Sequence, residues 1–264
     1  MTSFILKDEG GYYMKNKIFK ISFIIFITLS FIILLNFIPT FSLQSTHMSC
    51  LKGKHVNLYY EKHSDAAKDV FQLAENKAAI LEHNFCLKDT HLNIYMYDSQ
   101  TTFQQKKYGY IVALLNLDWY IGDNRGTNVL LTSPDAKCQM HDYQTIKQTV
   151  LHEMTHAYLS TINSHLSLWL SEGIATYLTN GQTFQKNILN QSPICTYQDI
   201  QTNNPLYFSK MGGYVYAPAY IQFLITNYGW DSVLELIRTE DYQKIFHKSM
   251  KDIYHEWYQF LYSM

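Results

Sequence analysis

The sequence lacks an excess of charge of either sign. It contains 21 lysine and arginine residues against 22 aspartate and glutamate residues, which leaves a formal net charge of −1 at pH 7. Proteins that bind nucleic acid usually present clustered basic residues, because contacts with phosphate supply much of their affinity. We therefore expect no nucleic-acid partner. Hydrophobic residues make up 47% of the chain, so a packed core can form.

Cysteine is sparse, and no two cysteines form a CxxC pair. Structural zinc sites made of four cysteines usually take their ligands from such close pairs, so the spacing argues against one. Disulfides remain open if the domain lies outside the cell, and four cysteines allow three pairings between which a sequence does not choose. Free buried cysteines are the alternative. The four are Cys50, Cys86, Cys138 and Cys195.

Signatures of a serine or cysteine nucleophile are missing as well. The chain has no GxSxG sequence, and no cysteine stands beside a histidine in a recognisable setting. The strained turn that exposes a nucleophilic serine therefore has no counterpart here. Internal repeats and low-complexity tracts are also absent.

A long apolar run lies near the N-terminus. Residues 21–38 read ISFIIFITLSFIILLNFI and carry no charge, and Ile18 and Phe19 extend the run. About 20 such residues cross a hydrocarbon core as a helix. Positive charges concentrate before the run, which places the N-terminus in the cytoplasm and the remainder outside the cell. These charges are Lys7, Lys15, Lys17 and Lys20.

Two fates are open for this segment. A cleaved signal peptide has an apolar core of about 7–15 residues and small residues at the cleavage site. Here the core is longer, and Thr40 and Ser42 are poor candidates for those small residues. We favour a retained single-pass signal anchor at the cell membrane, with the domain that follows it extracellular, over secretion after cleavage. The predicted divisions are a cytoplasmic tail at 1–17, a transmembrane helix at 18–38, a linker at 39–54 and one domain at 55–264.

That domain is predicted to belong to the α+β class. Alternating apolar residues predict strands at 55–60 and 91–97, and helical spacing predicts helices at 65–84 and 99–107. Strands before helices indicate a small N-terminal mixed sheet followed by a mostly helical part. Further strands are predicted within 110–123 and at 127–132, a turn at 123–126, and helices from Asp142 almost to the end.

An HExxH sequence at residues 152–156 carries the most specific chemistry. It lies in a stretch without proline or glycine that is predicted to be one helix capped by Asp142. Residues four apart share a helix face, so His152 and His156 can bind one metal ion. Glu153 can then reach a water molecule activated by that ion and take its proton. Because HExxH is short and also occurs by chance, a further ligand is needed.

Glu172 supplies that ligand in the sequence WLSEGIATYL, 16 positions after His156. The turn at 163–165 separates two predicted helices, so the chain can bring Glu172 back beside both histidines. Two histidines, one glutamate and a water molecule form the catalytic zinc set of the thermolysin type. The predicted cofactor is therefore one Zn²⁺ per chain.

HExxH followed by WLSEGIATYL resembles the gluzincin clan of zinc metallopeptidases. In particular, it is similar to the WLxEGxA segment of gluzincin aminopeptidases and of small bacterial relatives of the thermolysin group. The resemblance implies a zincin-like fold, with His152, His156 and Glu172 as zinc ligands and Glu153 as general base. It also implies that the strand at 127–132 is an edge strand that aligns a peptide substrate.

The same resemblance implies a tyrosine that stabilises the oxyanion. In the segment YVYAPAYIQFLITNYG, Tyr216 is the first candidate and Tyr214 the second. Gluzincin aminopeptidases also carry an acidic motif that recognises the free N-terminus of their substrate. The corresponding residues 126–134 here, GTNVLLTSP, contain no acidic side chain. We therefore expect an endopeptidase acting on a peptide or protein substrate. The alternative is a catalytically inactive binding module with the same fold on the cell surface.

Overall fold

The computed structural model describes residues 9–115, 117–180, 189 and 193–263. The chain divides into two units. The first takes the described residues up to Leu43 together with Gln104–Leu117, and the second takes Gln44–Phe103 and the described residues from Asp118 onward.

The first unit contains the apolar N-terminal helix α1 (Glu9–Asn36). Within it, Lys17–Asn36 is a 20-residue span with a mean hydropathy of 2.7, and none of it is buried. At about 1.5 Å per residue this span is long enough to cross a membrane. It is the one such helix in the part of the chain that the structure describes. An apolar helix is present where one is predicted at 18–38, but it begins earlier, at Glu9, and ends at Asn36, before the 3₁₀ helix Ile38–Phe41.

The second unit contains a five-stranded mixed sheet. Its strands are β1 (Ser49–Lys52), β2 (Val56–Tyr60), β3 (Leu92–Tyr97), β4 (Gly122–Arg125) and β5 (Asn128–Thr132). They lie in the order β1-β2-β3-β5-β4, with β2, β3 and β5 parallel and the two outer strands antiparallel to their neighbours. The predicted α+β class with a small mixed sheet and a mostly helical remainder is confirmed.

Helices make up most of the remainder of this unit. The helix α4 packs against β4, β5 and α2, and α5 packs between α4 and α7. A group of aromatic rings around Trp169 and Trp257 fills the core of the C-terminal helices. The helices are α2 (Asp65–Asn84), α3 (Gln100–Tyr108, of which only Gln100–Phe103 belong to this unit), α4 (Tyr143–Ile162), α5 (Leu168–Asn180), α6 (Pro205–Lys210), α7 (Gly213–Thr239), α8 (Tyr242–Phe246) and α9 (Met250–Ser263).

Three predictions about the sheet are wrong. The predicted linker at 39–54 contains β1, a four-residue strand too short for a clear alternating pattern, which pairs with β2. Of the residues described within 110–123, Tyr110–Leu114 form a 3₁₀ helix, and Gly122 and Asp123 are the first residues of β4. The strand at 127–132 is not an edge strand, because β4 folds back through the turn at Gly126 and covers its outer side.

Candidate metal centre

The helix α4 carries the HExxH residues. Its N-terminus is capped as predicted, because the carboxylate of Asp142 accepts a hydrogen bond from Thr145 N at 2.8 Å. The helix is fixed to α2 by Asp69, whose carboxylate accepts hydrogen bonds from Tyr143 Oη at 3.0 Å and Lys147 Nζ at 3.1 Å. These contacts hold the pKa of Asp69 below its ordinary value. These contacts help to fix the orientation of α4 relative to the sheet.

The turn between α4 and α5 is held by the end of α7. Asn163 Nδ2 donates a hydrogen bond to Ile237 O at 3.0 Å, and Ser167 N donates to Glu240 Oε1 at 2.9 Å. Beyond the turn, α5 approaches α7 so closely that a Cβ added to Gly173 would lie 2.8 Å from Ala217 O. The glycine after Glu172 therefore permits the packing that brings Glu172 back to α4.

The side chains of His152, His156 and Glu172 meet at one point. The two Nε2 atoms lie 3.0 Å apart. Glu172 Oε2 lies 3.2 Å from Nε2 of His152 and 3.6 Å from Nε2 of His156. All three side chains are largely shielded from solvent. Each offers one ligand atom to the same small space, so the three residues could together hold a metal ion.

The carboxylate of Glu172 is buried but carries a stabilised negative charge. Burial alone would raise its pKa, yet the adjacent His152 and His156 lower the pKa well below the ordinary glutamate range. Among the described residues, none is oriented to form a hydrogen bond with Oε2. The oxygen is therefore stabilised by its charge and its proximity to the two imidazoles, 3.2 and 3.6 Å from their Nε2 atoms.

Ser171 fixes the ring of His156. Its Oγ lies 2.9 Å from Nδ1 of that histidine. When the proton is on Nδ1 and is donated to the serine, Nε2 presents a bare lone pair to the shared space. The sequence alone does not identify a hydrogen-bond partner for either histidine. Ser171 directly precedes Glu172, but only the packing of α5 on α4 reveals its contact.

Glu153 directly follows His152 on α4, so its side chain leaves the helix in a different direction from the two histidines. It is buried, with 7% of its surface exposed. Its side chain is in close contact with the edge strand β4. A Cβ added to Gly122 would lie 3.0 Å from both Cγ and Oε1 of Glu153, and 2.5 Å from Cγ2 of Thr149. The strand and the carboxylate are therefore adjacent because residue 122 has no side chain.

Of the two candidate tyrosines, Tyr214 is the one whose pKa responds to the acidic residues of the cluster. Burial raises its pKa, and the charges of Glu172 and Glu153 raise it further. Its side chain remains 41% exposed. Tyr216 is fully buried and packs its ring against Trp257, and its electrostatic neighbours are Cys195 and Tyr262. The first candidate therefore belongs to the core, whereas the second is partly exposed.

The four cysteines are all free, and Cys195 is the buried one. Burial raises the pKa of the Cys195 thiol to about 12, so it is protonated at neutral pH and unsuited to act as a nucleophile.

No family model matches this chain, and no curated protein matches it either.

Proposed function

We propose that this chain is a zinc metallopeptidase anchored in the cell membrane, with His152, His156 and Glu172 as ligands and Glu153 as general base. The observation that carries the proposal is the triangle of ligand atoms, with sides of 3.0, 3.2 and 3.6 Å. Tetrahedral zinc with bonds of about 2.0–2.1 Å requires ligand atoms about 3.3 Å apart. The triangle therefore has the size that zinc needs.

The electrostatics of the cluster also fit a cation. An ionised carboxylate is costly to bury unless charge or hydrogen bonds compensate it, and Glu172 Oε2 has no hydrogen-bond partner among the residues described. With its proton held towards Ser171, the Nε2 lone pair of His156 faces Nε2 of His152 at 3.0 Å. A positive ion between these three atoms satisfies all of them.

When bound, zinc supplies Lewis acidity, which acidifies water and polarises a carbonyl oxygen. The protein supplies the proton transfer. The buried carboxylate of Glu153 adjoins the ligands on the same helix, where it can accept a proton from the attacking water and return it to the leaving amine. Metal binding alone does not require this residue, so its presence favours an enzyme over a binding module.

The hydroxyl of Tyr214 is suited to stabilise the oxyanion. Its raised pKa keeps it protonated at neutral pH, so it can donate a hydrogen bond to developing negative charge. Partial exposure leaves the ring accessible to substrate. We assign this role to Tyr214.

A peptide substrate would lie along β4. This strand is at the edge of the sheet and adjoins Glu153 through Gly122, so an extended peptide that pairs with it passes the general base. Successive side chains of a strand point to opposite faces, which directs Asp123 away from the face of Gly122. No acidic residue of β4 is then directed at a substrate N-terminus, which favours an endopeptidase.

The test uses the full-length chain in detergent with a panel of internally quenched peptides whose two ends are blocked. We expect cleavage by the wild type and a loss of about 100-fold or more for Glu153→Gln, with one zinc retained in both. Glu235→Gln is the matched control, because Glu235 lies on the surface and pairs with Arg238. It should cleave like the wild type.

Two results would count against the proposal in different ways. Wild-type protein that carries no zinc would refute the metal centre itself. Wild-type protein that carries zinc but cleaves no peptide of the panel, with blocked or free ends, would favour the non-catalytic binding module.

A further inference from the structure

Two segments far apart in the sequence expose apolar side chains within the first unit. One follows α1 and contains Phe37, Ile38 and Phe41, of which Phe41 is 80% exposed. The other is residues 109–115, here called the interfacial segment. It exposes Tyr110, Ile111, Leu114 and Leu115, and Leu114 is 83% exposed. Exposed apolar side chains that cluster on a protein surface mark a contact with another protein or a membrane.

Hydrogen bonds fasten the interfacial segment to the end of α1. Asn36, the last residue of the helix, donates from Nδ2 to Tyr108 O at 3.4 Å and accepts at Oδ1 from Ile111 N at 2.6 Å. The approach is close, since a Cβ on Gly109 would lie 2.2 Å from Asn36 O. Gly109 also has a φ of 78°, which glycine adopts without strain.

The segment has an inner and an outer side. Val112 is buried with 1% of its surface exposed, whereas its neighbours Ile111 and Leu114 point outward. Residues 104–117 contain two lysines, Lys106 and Lys107, and no acidic residue. Lys106 Nζ donates to Ser42 O at 2.8 Å, which ties the preceding turn to the chain that leaves α1.

We propose that the interfacial segment inserts into the lipid interface beside the end of α1, so that the protein touches the bilayer at a second place. The proposal rests on α1 remaining in the membrane. The segment is hydrogen-bonded to Asn36 at the end of the apolar span, and its Ile111 and Leu114 are exposed, as the apolar side chains of that span are. Tyr110 suits the headgroup level, where amphipathic rings collect, and Lys106 and Lys107, which precede the segment, add positive charge near anionic headgroups.

The experiment places one tryptophan at each of three exposed leucines in the full-length chain. Leu29→Trp lies in α1 and Leu114→Trp in the interfacial segment, while Leu206→Trp lies on α6 in the second unit. Each variant is reconstituted in vesicles of phosphatidylcholine and phosphatidylglycerol whose acyl chains are brominated close to the glycerol or near their ends. Quenching is measured as the difference from the wild type, which has four tryptophans.

We expect Leu114→Trp to be quenched by the shallow bromines at least twice as strongly as Leu206→Trp, and Leu29→Trp to be quenched by the deep ones. Quenching of Leu29→Trp with equal signals from the other two would overturn the interfacial segment but leave the anchor. If the chain forms a dimer in detergent-free discs and Leu114 is shielded from the lipid, the exposed apolar surface of the segment binds a second copy of the chain instead. Absence of quenching in all three would overturn both the anchor and the segment. Zinc content and peptide cleavage of the same preparations report on the proposed enzyme independently.

Discussion

Gly122 of the edge strand lies directly against the carboxylate of Glu153. An added Cβ would come within 3.0 Å of Oε1, and within 2.5 Å of a methyl group of Thr149 one turn earlier on α4. The strand and the helix therefore approach each other at the residue proposed to move the proton. A peptide that pairs with β4 meets the general base because of this contact.

Gly122→Ala tests that relationship. The added methyl group must displace Thr149 or Glu153, and a displacement of about 1 Å in catalytic geometry costs about 100-fold in rate. We expect cleavage to fall at least tenfold while zinc stays bound, with a stability loss of about 1–3 kcal/mol. Peptide kinetics, zinc content and thermal unfolding measure the three quantities.

Gly229→Ala is the control for this substitution. Gly229 has a φ of 80° in the kink of α7, with open space around a Cβ, so alanine strains the backbone without meeting a neighbour. Unchanged cleavage by Gly122→Ala, or an equal loss in both variants, would contradict the role of the Gly122 contact.

Ser171→Ala removes the partner of His156 Nδ1. Partners of this kind orient metal-binding histidines, and their loss typically lowers metal affinity by about 10–100-fold. We expect a decrease in that range when zinc affinity is measured by competition with a chromogenic chelator. Ser160→Ala is the matched control on α4, because the Ser160 hydroxyl donates to Ala157 O and takes no part in the cluster. Equal affinities for the two variants would refute the positioning role.

Tyr214→Phe removes one hydroxyl and keeps the ring. Loss of an oxyanion donor costs about 100-fold in kcat, so we expect kcat to fall by that order with little change in KM. Tyr216→Phe removes the hydroxyl of the buried tyrosine and should stay within about twofold of the wild type. The reverse ranking would restore Tyr216 as the catalytic tyrosine.

Asp69→Asn should change how stability depends on pH. The pKa of Asp69 is lowered in the folded protein by Lys147 and Tyr143, so its ionised form favours folding above the unfolded value of 3.8. That contribution is lost as the pH falls through the folded pKa. We expect the variant to melt at a lower temperature than the wild type at pH 7, and the two melting temperatures to converge once the pH has fallen below the folded pKa of Asp69.

Asp65→Asn controls for the general loss of a surface charge, since Asp65 is exposed and pairs weakly with Lys68 at 3.4 Å. A difference between Asp69→Asn and the wild type that persists unchanged in acid would show that the contact acts through packing rather than charge.

The sequence predicts the parts of the site that local spacing determines. His152 and His156 share a face because a helix repeats every 3.6 residues, and Asp142 caps that helix as a residue of its type should. Local spacing does not determine the position of Glu172 beside the histidines, because that position depends on a turn and on the close packing of α5 against α7 at Gly173. The resemblance to gluzincins supplied that step.

Contacts made only by tertiary packing were not predictable from spacing. Nothing in the sequence marks Ser171 or Gly122 as part of the site. Their contacts with α4 form only when α5 and β4 pack against that helix. The apolar residues 110–115 favour a strand by pattern alone, but short apolar runs do not distinguish a strand from other structures. Their contact with Asn36 joins residues more than 70 positions apart. The edge position of β4 likewise follows from the fold of the hairpin, and no pattern within β5 indicates it.

The most direct test of the central claim is the metal content and coordination of the purified full-length chain. We predict one zinc per chain by elemental analysis, with two imidazole nitrogens and one carboxylate oxygen at about 2.0–2.1 Å by X-ray absorption. Zinc should be lost in Glu172→Ala and in His156→Ala but retained in Glu153→Gln. Protein prepared with zinc present that carries none, or zinc that stays bound unchanged in Glu172→Ala and His156→Ala, would contradict the account.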